Sequence, residues 1–351
     1  MNINFDNISQ QREQELRNNT LNNIYLLRKK EKRNAIKKQL FLGVAASLVF
    51  LISIGLFNYF DSSNSTTLDN YVKTNSSGAY LKSNKIELTL SDSQKLKLED
   101  SITIAYNSSG SSLKLLAKKE VSEIKTEDKI LFNTLTVPFG KRAELQLADG
   151  SKVWLNAGSK LIYPNKFRGN LREVFLEGEA IFDIEHKENQ PFLVKTKDCR
   201  VEVLGTLFNV RAYPEDKTVE TTLARGKVRI SHLKKRLFRS KKIQKDLIPG
   251  NKAIYLKGSD TIKVKPAEVA NIMAWQKGYV NFKSKPLEEI LDKLSRYYNI
   301  KFYKSGKINK NVKYSGSFYL NDNILHVAKT LTTITDHYCY LDSENKTIII
   351  E

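Results

Sequence analysis

Four histidines are the first side chains that could do chemistry, and their spacing gives them no shared ion. His186, His232, His326 and His337 have no partner four residues away and no cysteine cluster nearby, so the pairing that sets two imidazoles on one helix face for zinc is missing. Cys199 and Cys339 lie far apart, in neither metal-ligand nor redox spacing, and read as buried or idle thiols. No G-x-S-x-G elbow is present, and FGKRAE, from Phe139, lacks both the first glycine and the Ser or Thr of a phosphate-binding loop. The acidic run LEGEAIFDIEHKE gathers Glu177, Glu179, Asp183 and Glu185, the residue type for general acid–base work. Along a strand, however, these odd-numbered residues share one face and Ala180, Phe182 and Ile184 the other, the pattern of a half-buried strand with a wet side.

One basic run asks a different question. HLKKRLFRSKKIQK places Leu237 and Phe238 among seven Lys or Arg residues, a composition suited to anionic surfaces. It falls between the strand-like pieces KVRI and KAIYL, so 234–245 reads as a solvated hairpin loop, with lipid or polysaccharide anions as the minority alternative. These residues lead us to expect no enzyme, no metal and no cofactor.

The elements that must position such side chains fall into distinct zones. From residue 39 to 60 no side chain is charged, and about 20 apolar residues at ~1.5 Å rise cross a hydrocarbon core of ~30 Å. Leu40, Phe41, Leu48, Phe50, Leu51, Leu56 and Phe57 would anchor that span. Ahead of it stand Arg28, Lys29, Lys30, Lys32, Arg33, Lys37 and Lys38 against Glu31 alone; behind it come Asp61 and Asp69 before Lys73. The positive-inside rule then places residues 1–38 in the cytoplasm and the bulk outside an inner membrane. A cleaved leader is disfavoured because NYFDSSNSTT offers no A-x-A-like site. The net charge of +20 would ordinarily raise nucleic-acid binding, but this topology puts most of it across the membrane from DNA.

Outside, runs such as KIELTL, REVFLEGEAIFDI, PFLVKT and RVEVLG alternate with Gly, Asn, Asp and Pro, the mark of many short strands. In RVEVLG, Leu204 is expected on a packed strand face. KIELTLSDSQKLKL from Lys85 aligns without gaps on RAELQLADGSKVWL from Arg142, a repeated hairpin-like unit. After Pro266 the order changes to strand AWQKGYVNF, helix PLEEILDKLSRYYNI and strand IKFYK. It then repeats as YSGSFY, a helix capped by Asn321 or Asp322, and a terminal hairpin turning at Glu344 and Asn345. The expected order is a cytoplasmic segment 1–38, a span 39–60, a β-rich extension 61–133, a β domain 134–264 and an α+β module of doubled βαβ form at 265–351.

VPFGKRAELQLADGSKVWLNAGS, FLEGEAIFDI, VLGTLFNVRAY and AWQKGYVNFKSKPLEEILDKLSRYYNIKF, in that order, resemble the FecR family of membrane-bound anti-sigma regulators in its Bacteroidetes form. The resemblance implies a β-solenoid-like periplasmic domain followed by a module similar to the short secretin and TonB-receptor N-terminal domain. It also implies two partners: an extracytoplasmic-function sigma factor inside, and the signalling domain of a TonB-dependent transporter outside. Asp149, Gly150, Trp154, Leu155, Asn156, Gly178, Glu179, Gly205, Thr206, Phe208 and Asn209 fall on the motifs, as structural positions. Edge-strand pairing points to Trp275, Gly278, Tyr279, Phe282, Ile348, Ile349 and Ile350 as a partner-contact region, with the terminal strand as one edge. One departure is the short inner segment, which holds no Trp and reads as one helix carrying Leu16, Ile24 and Leu27. A scaffold that has lost its inner function and a glycan-binding protein are the alternatives.

A reporter active only in the periplasm should work when fused after Glu351 and stay silent after Lys38; the reverse result overturns the orientation. Val49→Arg should reduce membrane retention, since a central Arg costs ~2.5–3.5 kcal/mol on insertion scales.

Overall fold

Twelve consecutive residues, Arg172–Asp183, run through two sheets, and the β region is arranged around that passage. The computed structural model describes residues 68–75, 84–91, 94–98, 102–116, 121–125, 131–234, 241–304, 311–335, 337–342, 344 and 346–351. The expected inner segment and span, 1–60, lie outside the described residues. Among the described residues no helix is long and apolar enough to cross a membrane.

In chain order the strands of the β region are β1 (Ile86–Thr89), β2 (Lys95–Leu98), β3 (Thr103–Tyr106), β4 (Ser112–Leu116), β5 (Val121–Lys125) and β6 (Phe132–Val137). There follow β7 (Ala143–Gln146), β8 (Lys152–Leu155), β9 (Ser159–Pro164), β10 (Arg172–Asp183), β11 (Phe192–Lys195) and β12 (Arg200–Val203). The last six are β13 (Leu207–Ala212), β14 (Thr218–Arg225), β15 (Val228–Lys234), β16 (Lys241–Leu247), β17 (Asn251–Leu256) and β18 (Ile262–Pro266). One layer pairs in the order β2-β1-β6-β9-β10-β11-β12-β15-β16. The other runs β5-β4-β3-β7-β8-β10-β13-β14-β17-β18. Strand β10 belongs to both. Its first half lies between β9 and β11, its second between β8 and β13.

The crossing falls at Gly178, with φ of 106°, a conformation open to glycine because it has no Cβ. A Cβ there would stand 2.6 Å from Ser159 Cα. Val174, Leu176, Ala180 and Phe182 all join one core cluster with residues from both layers, so the inward face of the strand follows the expected alternation. The expected wet face is only partial: Glu177 and Asp183 are half-buried and Glu185 is exposed, but Phe175, Glu179 and Ile181 are buried. A short helix, α1 (Leu68–Asn75), lays Leu68 against Phe132, Ile162 and Phe175 on one layer, and the C-terminal module covers Glu179 on the other.

The region is mainly β, as its alternation requires. Pairing is antiparallel except at β10–β11 and β3–β7, so hairpin returns build the layers in place of the parallel coils of a regular solenoid. The sequence repeat is a structural one. Ile86 faces Leu98 across β1–β2 and Ala143 faces Leu155 across β7–β8, the same register in hairpins of opposite layers. The repeat-equivalent Tyr106 and Tyr163 meet edge to face at 5.7 Å with hydroxyls 3.3 Å apart. Because β1 pairs with β6 and β3 with β7, the stretch ahead of residue 134 shares its sheets and core with residues 134–264.

In the C-terminal module, α2 (Val269–Met273) leads into a 3-10 turn (Ala274–Lys277), β19 (Tyr279–Pro286), α3 (Leu287–Tyr298) and β20 (Lys301–Lys304). Then come β21 (Lys313–Tyr319), α4 (Ile324–Thr335), β22 (Cys339–Asp342) and β23 (Thr347–Ile350). Leu287, Ile290, Leu291 and Leu294 of α3 pack with Val327, Ala328 and Leu331 of α4 and with Ile348 and Ile350, so α3 follows its apolar spacing, while α4 buries Val327 and leaves Leu325, expected inward, exposed. Four expectations need correction. AWQK is a 3-10 turn, stopped by Gly278 at φ 85°. Asn323, not Asn321 or Asp322, caps α4 by accepting from His326 N–H at 2.9 Å. The basic run is largely paired strand, with Lys234 in register with Lys241 and Leu233 with Lys242, and 235–240 outside the described residues. Leu204 is 40% exposed, since the chain bends after β12 and leaves Val203, 3% exposed, as the packed residue.

Val203→Asp should therefore destabilise the β region by ~3 kcal/mol or more, because its carboxylate has no water and no partner. Leu204→Asp should fall within about 0.5 kcal/mol of the parent, as surface changes do. Paired thermal-melting curves decide this, and equal losses would place both side chains inside.

Candidate functional site

The motif residues converge on two buried charges. The first is Arg172, 0% exposed, at the start of β10. Its Nε donates to Gln190 O at 2.8 Å, Nη2 to Leu204 O at 3.1 Å, and Nη1 to Glu185 O at 3.0 Å and to Asp149 Oδ2 at 2.7 Å. A buried guanidinium needs this saturation to offset its desolvation. Asp149 also accepts from the Ser151 backbone N–H and hydroxyl, at 3.1 and 2.8 Å. Gly150, with φ of 92°, turns the hairpin beside Glu185. At Gly205 a Cβ would stand 2.6 Å from the His186 backbone. This node ties three loops together.

The second charge is Glu179, one residue past the crossing and 6% exposed. Asn156 Nδ2 donates to one carboxylate oxygen at 2.9 Å and Asn209 Nδ2 to the other at 3.1 Å. Arg211 approaches at 3.5 Å and pairs more closely with Asp216, at 2.7 Å. Burial alone would lower the Arg211 pKa, but the charges of Glu179 and Asp216 outweigh it and hold the guanidinium firmly protonated. Ser159 Oγ accepts from Glu179 N–H and donates to its carbonyl. Of the other motif positions, Leu155 and Phe208 are fully buried, Phe208 stacking on Phe182 at 5.2 Å. Thr206 is buried and donates to Lys227 O at 3.1 Å, and Trp154 faces Ile181 on β10.

The C-terminal module docks on this second node through the last turn of α3. Tyr297 O–H accepts from Asn156 Nδ2 at 3.1 Å. Burial, followed by the Glu179 charge, raises its pKa strongly and keeps it neutral. Arg296 reaches Glu215 and Asp216 at 3.0 and 3.1 Å. Tyr213 is buried, donates to Ala157 O at 2.7 Å, and receives Arg211 and Arg296 against its ring at 4.9 and 4.4 Å. Backbone contacts complete the join: Gly140 N–H donates to Arg296 O at 2.8 Å, and Arg142 Nη1 to Trp275 O at 2.8 Å.

Beside this join lies a cleft of about 620 Å³ between the outer face of β13 and β14 and the elements β19 and α3. Two of its buried polar atoms have no protein partner, Asn209 Oδ1 and Trp275 Nε1. Lys293 lines it as well, over the Phe282 ring at 5.6 Å, with its pKa lowered chiefly by burial. Among the described residues no group of three or more His, Cys, Asp or Glu could hold a metal. Asp183 pairs with Arg225 at 2.8 Å and Glu177 with Lys160 at 3.1 Å, so the acidic run is dispersed among separate ion pairs. His232 contacts Asp198 O and Tyr255 O–H, Cys199 and Cys339 are free and buried, and burial pushes the Cys199 thiol to about 12.

The expected partner-contact residues divide. Tyr279 is 48% exposed, whereas Trp275, Phe282, Ile348 and Ile350 are core. Strand β23 lies between β20 and β22, so the terminal strand offers no edge, contrary to expectation. Arg211, Tyr213, Asp216, Arg296 and Tyr297 were not anticipated. The available signal was VRAYPED at the end of a motif, and a helix whose polar stripe carries an aromatic at 297.

A family model described as FecR protein matches residues 133–229, and one described as FecR, C-terminal matches 279–350. Two crystal structures of a candidate anti-sigma factor from Parabacteroides distasonis ATCC 8503, at 1.65 and 2.50 Å resolution, are similar to this chain. Each aligns with TM-score 0.53 and 27% identity, over 62% and 63% of this chain and 98% of the other. No curated protein matches.

Glu179→Ala should destabilise the chain by about 3–5 kcal/mol, because Arg211 and two amides lose their buried acceptor. Tyr297→Phe should lose about 1 kcal/mol, the net worth of one hydrogen bond. Denaturant titration of both variants tests the ranking, and a Glu179 variant no weaker than the Tyr297 variant would contradict it.

Proposed function

The chain belongs to the FecR family, and from that membership we propose that it is a single-pass regulator that relays an outside signal to a sigma factor. In this reading residues 1–38 hold an extracytoplasmic-function sigma factor in the cytoplasm, 39–60 span the inner membrane, and the remainder meets the signalling domain of a TonB-dependent transporter in the periplasm. The observation that carries it is the consecutive match of both FecR modules, behind an apolar run flanked by basic residues on one side only. Likeness to the Parabacteroides candidate anti-sigma factor supports the same role. A regulator has no need of a reaction centre, and the two buried charges, Arg172 and Glu179, serve structure.

Contact with the transporter domain belongs, in this reading, to strands of the C-terminal module that keep a free edge. Among the described residues β19 and β21 pair only with each other, and β20 and β22 flank β23. Tyr303 beside one flank, and Tyr338 and Tyr340 beside the other, are exposed at 61%, 65% and 36%. An extended partner segment adding to such an edge gains main-chain hydrogen bonds for affinity and aromatic contacts for specificity.

Full-length chain and a carrier fused to residues 1–38 should each capture a cognate extracytoplasmic-function sigma factor. Capture by the full chain alone would move the inner contact outside 1–38, and capture by neither would end the anti-sigma reading. Tyr340→Asp should weaken binding to the transporter's signalling domain at least tenfold while leaving sigma capture intact.

A further inference from the structure

The cleft beside the Glu179 node has a donor and acceptor set that the protein leaves incomplete. Asn209 Nδ2 must face Glu179, because a carboxylate accepts and cannot donate, and this fixes Asn209 Oδ1 as the free atom. That oxygen needs a donor. Trp275 Nε1 is a donor only and needs an acceptor. Lys293 makes no close ion pair among the described residues, although the charges of Glu179 and Glu289 act on it, unlike Lys252 and Lys285 on the same walls, which pair with Glu220 and Glu289 at 2.7 and 2.6 Å. Buried polar groups are nearly always satisfied, so the two orphaned atoms have a claim on an occupant, and half-buried Lys293 on the same walls supplies a charge.

The chemistry of the occupant follows from the set. One ammonium with one neutral N–H suits a singly charged carboxylate. The amide oxygen would repel a bare anion and calls for a hydroxyl. The walls add Thr218, Asn271 and Asn281 as further polar groups and Tyr279 as an exposed aromatic face, and about 620 Å³ lies within the usual range for small-ligand pockets. We propose that this cleft, between the β region and the C-terminal module, binds a hydroxylated monocarboxylate of the sugar-acid class. Lys293 and Trp275 take the carboxylate, and Asn209 takes a hydroxyl. The site bridges β13 and α3, so occupancy holds the two modules together, whether or not residues 1–38 bind a sigma factor.

The chain has two tryptophans, so Trp154→Phe in the full-length protein leaves Trp275 as a fluorescent reporter inside the cleft. Titration with glucuronate should give a saturable change that neither glucose nor acetate reproduces. Lys293→Gln, added to that variant and checked for native circular dichroism, should weaken the response at least tenfold. Absence of a saturable change with glucuronate, or an equal response to glucose, overturns the proposal without reference to the Lys293 variant. A response to acetate as strong as that to glucuronate overturns the sugar-acid assignment.

Discussion

A carboxylate taken out of water must be answered by donors, and the placement of Glu179 turns that requirement into architecture. The residue follows Gly178, where β10 leaves one layer and enters the other, so its position is set by the backbone before any partner arrives. Asn156 comes from the turn after β8 and Asn209 from β13, and both aim amide nitrogens at it. Asn156 then uses the same group to reach Tyr297 of the C-terminal module. Neighbouring strands and a separate module are therefore oriented by one buried anion. Arg211, Asp216 and Arg296 extend the network so that no charge in it stands without a counter-charge.

The Arg172 node works in the opposite sense. Four of its acceptors come from the residues Gln190, Glu185, Leu204 and Asp149, so one cation organises carbonyls where the anion organises amides. Together they fix β10 at its start and just past its crossing. A guanidinium presents a rigid fork of donors and suits carbonyl groups converging from several loops, and Lys could not satisfy them with its three donors on a flexible stem.

Much of this was legible in the sequence because alternation, turn residues and helical spacing are local signals. The repeated hairpin was visible as an ungapped match and carries the same register in both copies. The polar faces were harder. Odd positions of LEGEAIFDI look solvent-facing because a strand's period of two says which residues share a face, not what covers it. At Glu179 the cover is a module about a hundred residues away in the chain. Lys293, Arg296 and Tyr297 were hidden for the same reason, since the polar stripe of an amphipathic helix reads as wet until another surface is found against it. The terminal TIII segment matched the composition of a strand, but only the parallel pairing with β20 and the antiparallel pairing with β22 make it central. Pairing partners of that kind are long-range facts. Leu204 failed by one residue, because alternation does not mark where a strand bends.

A strand held in common by two layers has a mechanical consequence. Most sandwiches join their layers through side-chain packing, which can slide, or through loops, which can flex. In this protein the tie is β10 itself, an unbroken run of peptide bonds hydrogen-bonded on both flanks in each layer. A shift of one residue along it would turn Val174 and Phe182 out of the core and carry Gly178 away from Ser159, so the strand has one admissible register. Tension applied to the layer that carries α1 is transmitted along the backbone to the carboxylate on which the other module rests, with no sliding interface in between to absorb it.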